Sequence, residues 1–282
     1  MNYEIDGDQR VGLLRNDSVF QIESASSVED LIWNGRLDRI QNEAIASRGE
    51  KLNMVMIKPP VTNPDKILLA AINYKTHGTE QRNQPPKEPY FFSKFRSCIV
   101  GHNAPVIVPR VSAKVDWEAE LAVVIGKRCK YVKKEDALDY VAGYTIANDI
   151  SFRDFQFPEG WPEKTNPLGQ NWIKGKALDS AFPLGPWLVT PDDIPDPQKL
   201  SISLKVNGVE RQNANTEDMV FSVAELIEYL SAGLTLLPGD LISTGTPAGV
   251  AAFSGVPFLK GGDVIETIIE RIGTLCNPVK NE

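Results

Sequence analysis

At 282 residues, 42% hydrophobic and 24% charged, the chain can bury a large core and reads as an ordinary globular protein. Its formal net charge of −7 argues against nucleic acid or an anionic membrane as partner, and means that a small anionic substrate would need a local cation. The longest apolar runs, such as LAVVI at 121–125, fall far short of the roughly 18 residues that span a bilayer.

The opening MNYEIDGDQR lacks a basic segment followed by an apolar one, so no secretory signal is legible. A strand-like stretch, RVGLLRNDSVFQI, leads into helical patterning from Ser27 to about Ser47. Ser27 is the expected N-cap, with Asp30 placed to complement the helix N-terminus. KPPVTNPDK at 58–66 breaks regular structure with three prolines, which sets the expected division into a small N-terminal α/β domain (1–62) and a larger domain (63–282). Beyond it β-rich runs recur: KILLAAI, PVIVP, ELAVVIG, YTIAND, PWLVT, SISLKVNG, DLISTGT and DVIETIIE. Asn207-Gly208 is a hairpin turn, and Pro238-Gly239-Asp240 and Gly261-Gly262-Asp263 precede later strands. Two helices stand out. One covers 223–232, with Ser222 and Glu225 as a capping box and Gly233 as the stop; a shorter one covers about 135–142 and ends at Gly143. Strands without regularly alternating helices predict an α+β, β-rich, mixed or antiparallel architecture, not a doubly wound sheet. The three cysteines, Cys98, Cys129 and Cys276, are widely spaced and read as reduced thiols of a cytoplasmic protein.

Chemistry concentrates in a few segments. In DWEAELAVVIG, Glu118 and Glu120 are two apart in a strand and so share a face. By spacing alone a solvated sheet edge is the simpler reading; a shared cation is the other. Asp149 closes the apolar run YTIAND, and three carboxylates with room for further ligands suit a hard divalent ion such as Mg²⁺ or Mn²⁺. In AINYKTHGTE, His77 and Glu80 meet if the segment forms a helical turn, giving an imidazole whose basicity a carboxylate raises. An exposed loop histidine is the alternative there. His102 reads as a turn residue. Arg153 and Lys176 are candidate cations for an anionic substrate, and TGTPAG at 244–249 offers backbone amides and the Thr246 hydroxyl.

Seven segments together resemble the fumarylacetoacetate hydrolase superfamily over about residues 66–279: NYKTHGTE, DWEAELAVVIG, GYTIANDISFRDFQ, WIKGKALDSAFPLGP, FSVAELIEYLS, LLPGDLISTGTPAGV and GGDVIETIIERIGTLCNPV. The resemblance implies a mixed β roll or sandwich with few helices, preceded by a small N-terminal domain and assembled as a homodimer. It also implies metal ligation by Glu118, Glu120 and Asp149. Mg²⁺ is the expected ion, with Mn²⁺ or Ca²⁺ as substitutes. His77 and Glu80 would activate water or move a proton, and Lys176 would support the enolate. Tyr74, Arg153, Gln156 and Thr246 would bind substrate, a small 2-oxo acid. The stretch 157–172 departs from the family's shorter link and is expected to form a lid.

Acylpyruvate C–C hydrolysis is the first expectation, supported by the aromatic and apolar neighbours Tyr74, Phe152, Phe155, Phe157 and Trp161. Decarboxylation or tautomerisation of a short 2-oxo diacid at the same site is the alternative, and would be favoured by a cationic far end of the pocket. No G-x-S-x-G elbow, Walker loop or G-x-G-x-x-G fingerprint occurs.

Overall fold

The computed structural model describes residues 1–40, 49–81, 84, 86–156 and 170–282. Five strands among the described residues of 1–58 form an antiparallel sheet in the order Glu50–Lys51, Ser18–Gln21, Asp8–Arg15, Asn2–Ile5, Met56–Lys58. Asn16 and Asp17 both take positive φ, the I′ geometry whose twist suits a tight hairpin, and so join Arg15 to Ser18 across the ladder. Ser27 does cap a helix, its side chain accepting from the Asp30 N–H. That helix, Val28–Trp33, is much shorter than the sequence suggests: Asn34 closes it by hydrogen-bonding back to Asp30. The far end of the expected helix (41–48) lies outside the described residues. Val28, Leu31 and Ile32 join the same apolar cluster as the main sheet, so the N-terminal segment is seated on the rest by burial.

The main sheet has seven strands in the spatial order Tyr90–Lys94, Ile67–Ala71, Leu241–Ser243, Ala119–Ile125, Val141–Asn148, Phe182–Val189, Ile99–Val100. It is mixed, with parallel pairs between Ile67–Ala71 and Leu241–Ser243 and between Phe182–Val189 and Ile99–Val100. Ala119–Ile125 and Val141–Asn148 are buried at every position, which is why they read as continuous apolar runs instead of alternating ones. A second sheet, Val209–Asn215, Ser201–Val206, Val264–Ile269, Gly273–Asn281 and Val106–Val108, packs across these central strands. The Asn207-Gly208 hairpin is present, with both residues at positive φ and Val206 opposite Val209. The structure is therefore the β-rich curled architecture expected, with short helices.

Two helix expectations fare differently. Val223–Ser231 carries the full Ser222–Glu225 capping box, and Gly233 follows at φ +93°. The segment near 135–142 is instead a 3₁₀ helix over Lys134–Tyr140, and Gly143 lies inside the next strand. A side chain at Gly143 would collide with the Val189 carbonyl, so this glycine marks close strand approach, not a helix stop.

Candidate active site and metal centre

The antiparallel register between Ala119–Ile125 and Val141–Asn148 pairs Ala119 with Asn148, and beyond it the Asp149 N–H donates to the Glu118 carbonyl at 2.9 Å. The Asn148 amide oxygen accepts from the Glu118 N–H at 2.9 Å, which pins the strand end. Glu118, Glu120 and Asp149 therefore converge: one carboxylate oxygen from each lies within 4.8 Å of the others, and all three residues are buried. A solvated sheet edge is excluded.

Three cations surround them. Lys176 Nζ bridges Glu118 Oε2 and Asp149 Oδ2, each at 2.6 Å. Arg153 donates from Nη2 to Glu118 Oε1 (2.6 Å), from Nε to Asp116 Oδ2 (2.9 Å) and from Nη1 to Gln156 Oε1 (2.8 Å). Lys94 Nζ is 2.9 Å from Asp149 Oδ1 and donates to the carbonyls of Ile150, Ala181 and Lys176. Four carboxylates (116, 118, 120 and 149) thus meet three cations (94, 153 and 176), and the surplus negative charge falls on Glu120. Among the described residues its Oε2 accepts from neutral donors, the Ser243 hydroxyl and the Gly245 N–H.

The electrostatics follow from this layout. Burial alone would raise the Glu118 carboxyl, but Lys176 and then Arg153 hold it far below the ordinary carboxylate range. Burial, then Asp149 and Glu118, push Glu120 well up. Burial also raises Asp149, against the pull of Lys176 and Lys94. A buried cluster of hard oxygen donors that still lacks one positive charge fits a divalent cation, which would relieve the like-charge repulsion at Glu120.

His77 lies in a short helix, Lys75–Glu80, immediately after the edge-side strand Ile67–Ala71. Its Nδ1 faces Glu80 Oε2 at 3.2 Å, as the three-residue spacing requires on a helix. Glu80 Oε1 is held in turn by the Gly249 N–H at 3.0 Å. The 244–249 turn therefore orients carboxylates at both ends, Glu120 through Gly245 and Glu80 through Gly249. Gly249 sits at φ +106°, and a Cβ there would stand 2.0 Å from the Arg211 carbonyl oxygen, so the turn demands glycine.

A cavity of about 260 Å³ opens over the cluster, below the roughly 300–1,000 Å³ of drug-sized pockets. His77, Glu118, Glu120, Arg153, Gln156, Lys176 and Thr246 line it. Asp149 lies beneath Lys176, and Glu80 behind His77. Tyr74 is completely buried and does not line the cavity, and among the described residues its hydroxyl has no hydrogen-bond partner. Phe152 is likewise buried in the core, while Phe157, Trp161 and most of the expected lid lie outside the described residues. Two short helices, Arg153–Gln156 and Trp172–Lys176, touch at Gly175, where any Cβ would meet Gln156 at 2.7 Å; this contact brings Gln156 and Lys176 to one wall.

Sequence reasoning missed Lys94, Asp116, Gln212 and Gln81. A lysine within YFFSKF, where burial was foreseeable, was the available signal for Lys94. Asp116 also accepts from the Ala251 and Ala252 N–H groups, and the Gln212 amide fastens the Ala119 N–H to Thr246 Oγ1; neither is legible locally. His102, expected to be a plain turn residue, accepts at Nδ1 from the Cys276 N–H and takes no part in the site.

Comparison with known proteins agrees with the geometry. The family model for the fumarylacetoacetate (FAA) hydrolase C-terminal domain matches residues 66–280. The mitochondrial oxaloacetate tautomerase fahd2 of Xenopus laevis is 48% identical over 239 residues, 84% of this chain and 71% of that protein. Among solved structures, maleylpyruvate hydrolase from Sphingobium sp. SYK-6, in complex with manganese(II) and pyruvate, is 32% identical with a TM-score of 0.82, covering 100% of this chain and 99% of that one. The 2-hydroxyhepta-2,4-diene-1,7-dioate isomerase from Mycobacterium marinum is 34% identical with a TM-score of 0.77, covering 100% and 97%. With a matched model across most of its length, this chain belongs to the fumarylacetoacetate hydrolase family of enzymes.

Proposed function

We propose that this protein is a divalent-metal-dependent tautomerase of a short 2-oxo diacid of the oxaloacetate type. The observation that carries the reading is the small cavity in which the His77–Glu80 pair faces the carboxylate cluster. The 48% identity to an oxaloacetate tautomerase ranks this reading above acylpyruvate hydrolysis, the first expectation from sequence. Glu118, Glu120 and Asp149 would hold Mg²⁺ or Mn²⁺. The bound ion would supply Lewis-acid polarisation of the substrate's 2-oxo group.

The chain's own residues do the rest. Glu80 accepts the Nδ1–H of His77, which leaves the lone pair on Nε2 to take the C3 proton of the keto form; that proton then passes from Nε2, through water, to the enolate 2-oxygen to give the enol, and the reverse reaction returns it to C3. Lys176, fully buried and kept cationic by Asp149 and Glu118 against the effect of burial, adds positive charge beside the oxygen that becomes anionic. Arg153, Gln156 and Thr246 fix the substrate in the cavity. The protein is taken to act as a homodimer of two-domain subunits divided near residue 62. The unpaired state of all three cysteines fits a reducing compartment, the cytoplasm expected from sequence or the mitochondrion of the similar tautomerase, and no helix among the described residues is long and apolar enough to cross a membrane.

A second reading, acylpyruvate hydrolysis, draws on the apolar wall where Phe92 and Trp172 stack with centroids 4.5 Å apart. Supplying oxaloacetate or acetylpyruvate with Mn²⁺, then following enol absorbance and pyruvate release, separates the two. The expected result is rapid, EDTA-sensitive enol–keto exchange of oxaloacetate. Pyruvate release from acetylpyruvate without that exchange would overturn the proposal in favour of the second reading.

A further inference from the structure

Gln81 follows the His77 helix, lines the cavity and places its side-chain Nε2 2.5 Å from His77 Nε2. Because Nδ1 of the imidazole gives its hydrogen to Glu80, Nε2 of the neutral ring carries the lone pair. Only the N–H end of the Gln81 amide can face that lone pair; its oxygen would be repelled. One nitrogen lone pair accepts one close hydrogen bond, so in this arrangement the base is capped. It can reach neither a C–H bond nor a water until the amide lets go.

The backbone will not do this. The Gln81 N–H is bonded to the His77 carbonyl at 3.1 Å, so release means turning the side chain, and the amide N–H then needs another acceptor. Beside apolar Ala70, Ala71, Ile72 and Phe92 the cavity wall carries Tyr90 and the acceptors Gln156, Gln170 and Thr246, whose side-chain oxygens already accept from Arg153, Gln156 and Gln212. A substrate oxygen brings an acceptor that is not already engaged. We propose that Gln81 determines substrate specificity by recognising an oxygen at the far end of a 2-oxo diacid, and that this contact uncaps His77. A 2-oxo monoacid with an alkyl tail leaves the amide on the base. The far end of the substrate is thus read by a neutral amide, not by the cation that the sequence suggested a diacid pocket would need.

This inference rests on the tautomerase reading, and two measurements keep the two apart. With Mn²⁺-loaded protein, C3 hydrogen–deuterium exchange is compared for oxaloacetate and 2-oxobutyrate in wild type and Gln81→Leu, with Gln81→Met as the substitute should the first fold poorly. Losing a hydrogen bond to a charged group corresponds to roughly 10- to 150-fold. Gln81→Leu should therefore lower the oxaloacetate-to-2-oxobutyrate ratio of kcat/KM by at least about tenfold, through a higher KM for the diacid and a faster monoacid reaction. Equal losses on both substrates would overturn the proposal. Separately, diethyl pyrocarbonate labelling of His77 is read by peptide mass spectrometry, with His102 as the internal reference. It should be several-fold faster in Gln81→Leu than in wild type; equal rates would remove the cap. If wild type exchanges neither substrate, the tautomerase reading fails, and the labelling result still decides whether Gln81 masks the base.

Discussion

Lys94→Met is the most demanding test of how the cluster is held together. The Lys94 side chain is fully buried, and its ammonium serves Asp149 and three main-chain carbonyls at once, those of Ile150, Lys176 and Ala181. Those carbonyls belong to the Asp149 segment and to the Lys176 segment, so one cation ties both sides of the site. Methionine keeps most of the apolar stem but leaves Asp149 half-paired and the carbonyls without a donor. Breaking a buried ion pair by removing one partner costs about 3–5 kcal/mol, and at this chain length each kcal/mol corresponds to about 2 °C, so Tm should fall by about 6–10 °C. The measurement is a calorimetric melt of the metal-free protein, so that metal affinity does not mask the effect. Asp149→Asn and the double variant complete a mutant cycle, in which a coupling above about 0.5 kcal/mol is expected between the two positions. A fall in Tm of less than about 2 °C, or strict additivity, would refute the view that Lys94 anchors Asp149.

Glu120→Gln should stabilise the metal-free protein while weakening Mn²⁺ binding at least about 100-fold by calorimetric titration, because this carboxylate carries the unbalanced charge. The pH dependence has a definite sign. Glu120 is raised in the fold, so its contribution to stability is present at low pH and is lost as pH rises through the raised value. Melts of the metal-free wild type across pH should show that loss, and Glu120→Gln should not. Gly249→Ala forces a Cβ against the Arg211 carbonyl at a left-handed φ and disturbs the amide that holds Glu80. It should cost at least about 2 kcal/mol in denaturant unfolding and reduce turnover more than Mn²⁺ affinity. Cys98 is fully buried with its thiol pushed up by that burial, so iodoacetamide should leave it unmodified in the native protein; labelling before unfolding would contradict the packing described.

Much of this site was readable because its pairs are local. Glu118 and Glu120 share a face by strand alternation, His77 and Glu80 meet within one helical turn, and Ser222 with Glu225 three residues on announces the start of a helix. Asn207-Gly208 dictates its own turn. For each of these the covalent chain supplies the geometry, so the residue types and their spacing are sufficient. The order of seven motifs then identified the family, and with it the joining of Asp149 to the glutamates.

The tertiary structure decided what depends on partners far along the chain. Whether the two glutamates faced water or a cation was settled by the register that sets Glu118 against Asp149, 31 positions later in the sequence. Lys94 finds carbonyls on segments 56 to 87 residues away, and Gly249 reaches Glu80 across 169. The length of the first helix and the 3₁₀ form of Lys134–Tyr140 have nearer causes, the capping at Asn34 and the strand that begins at Val141. Composition and periodicity describe the preferences of each segment. Only packing brings a fourth carboxylate against a third cation, and that balance leaves Glu120 in want of a metal.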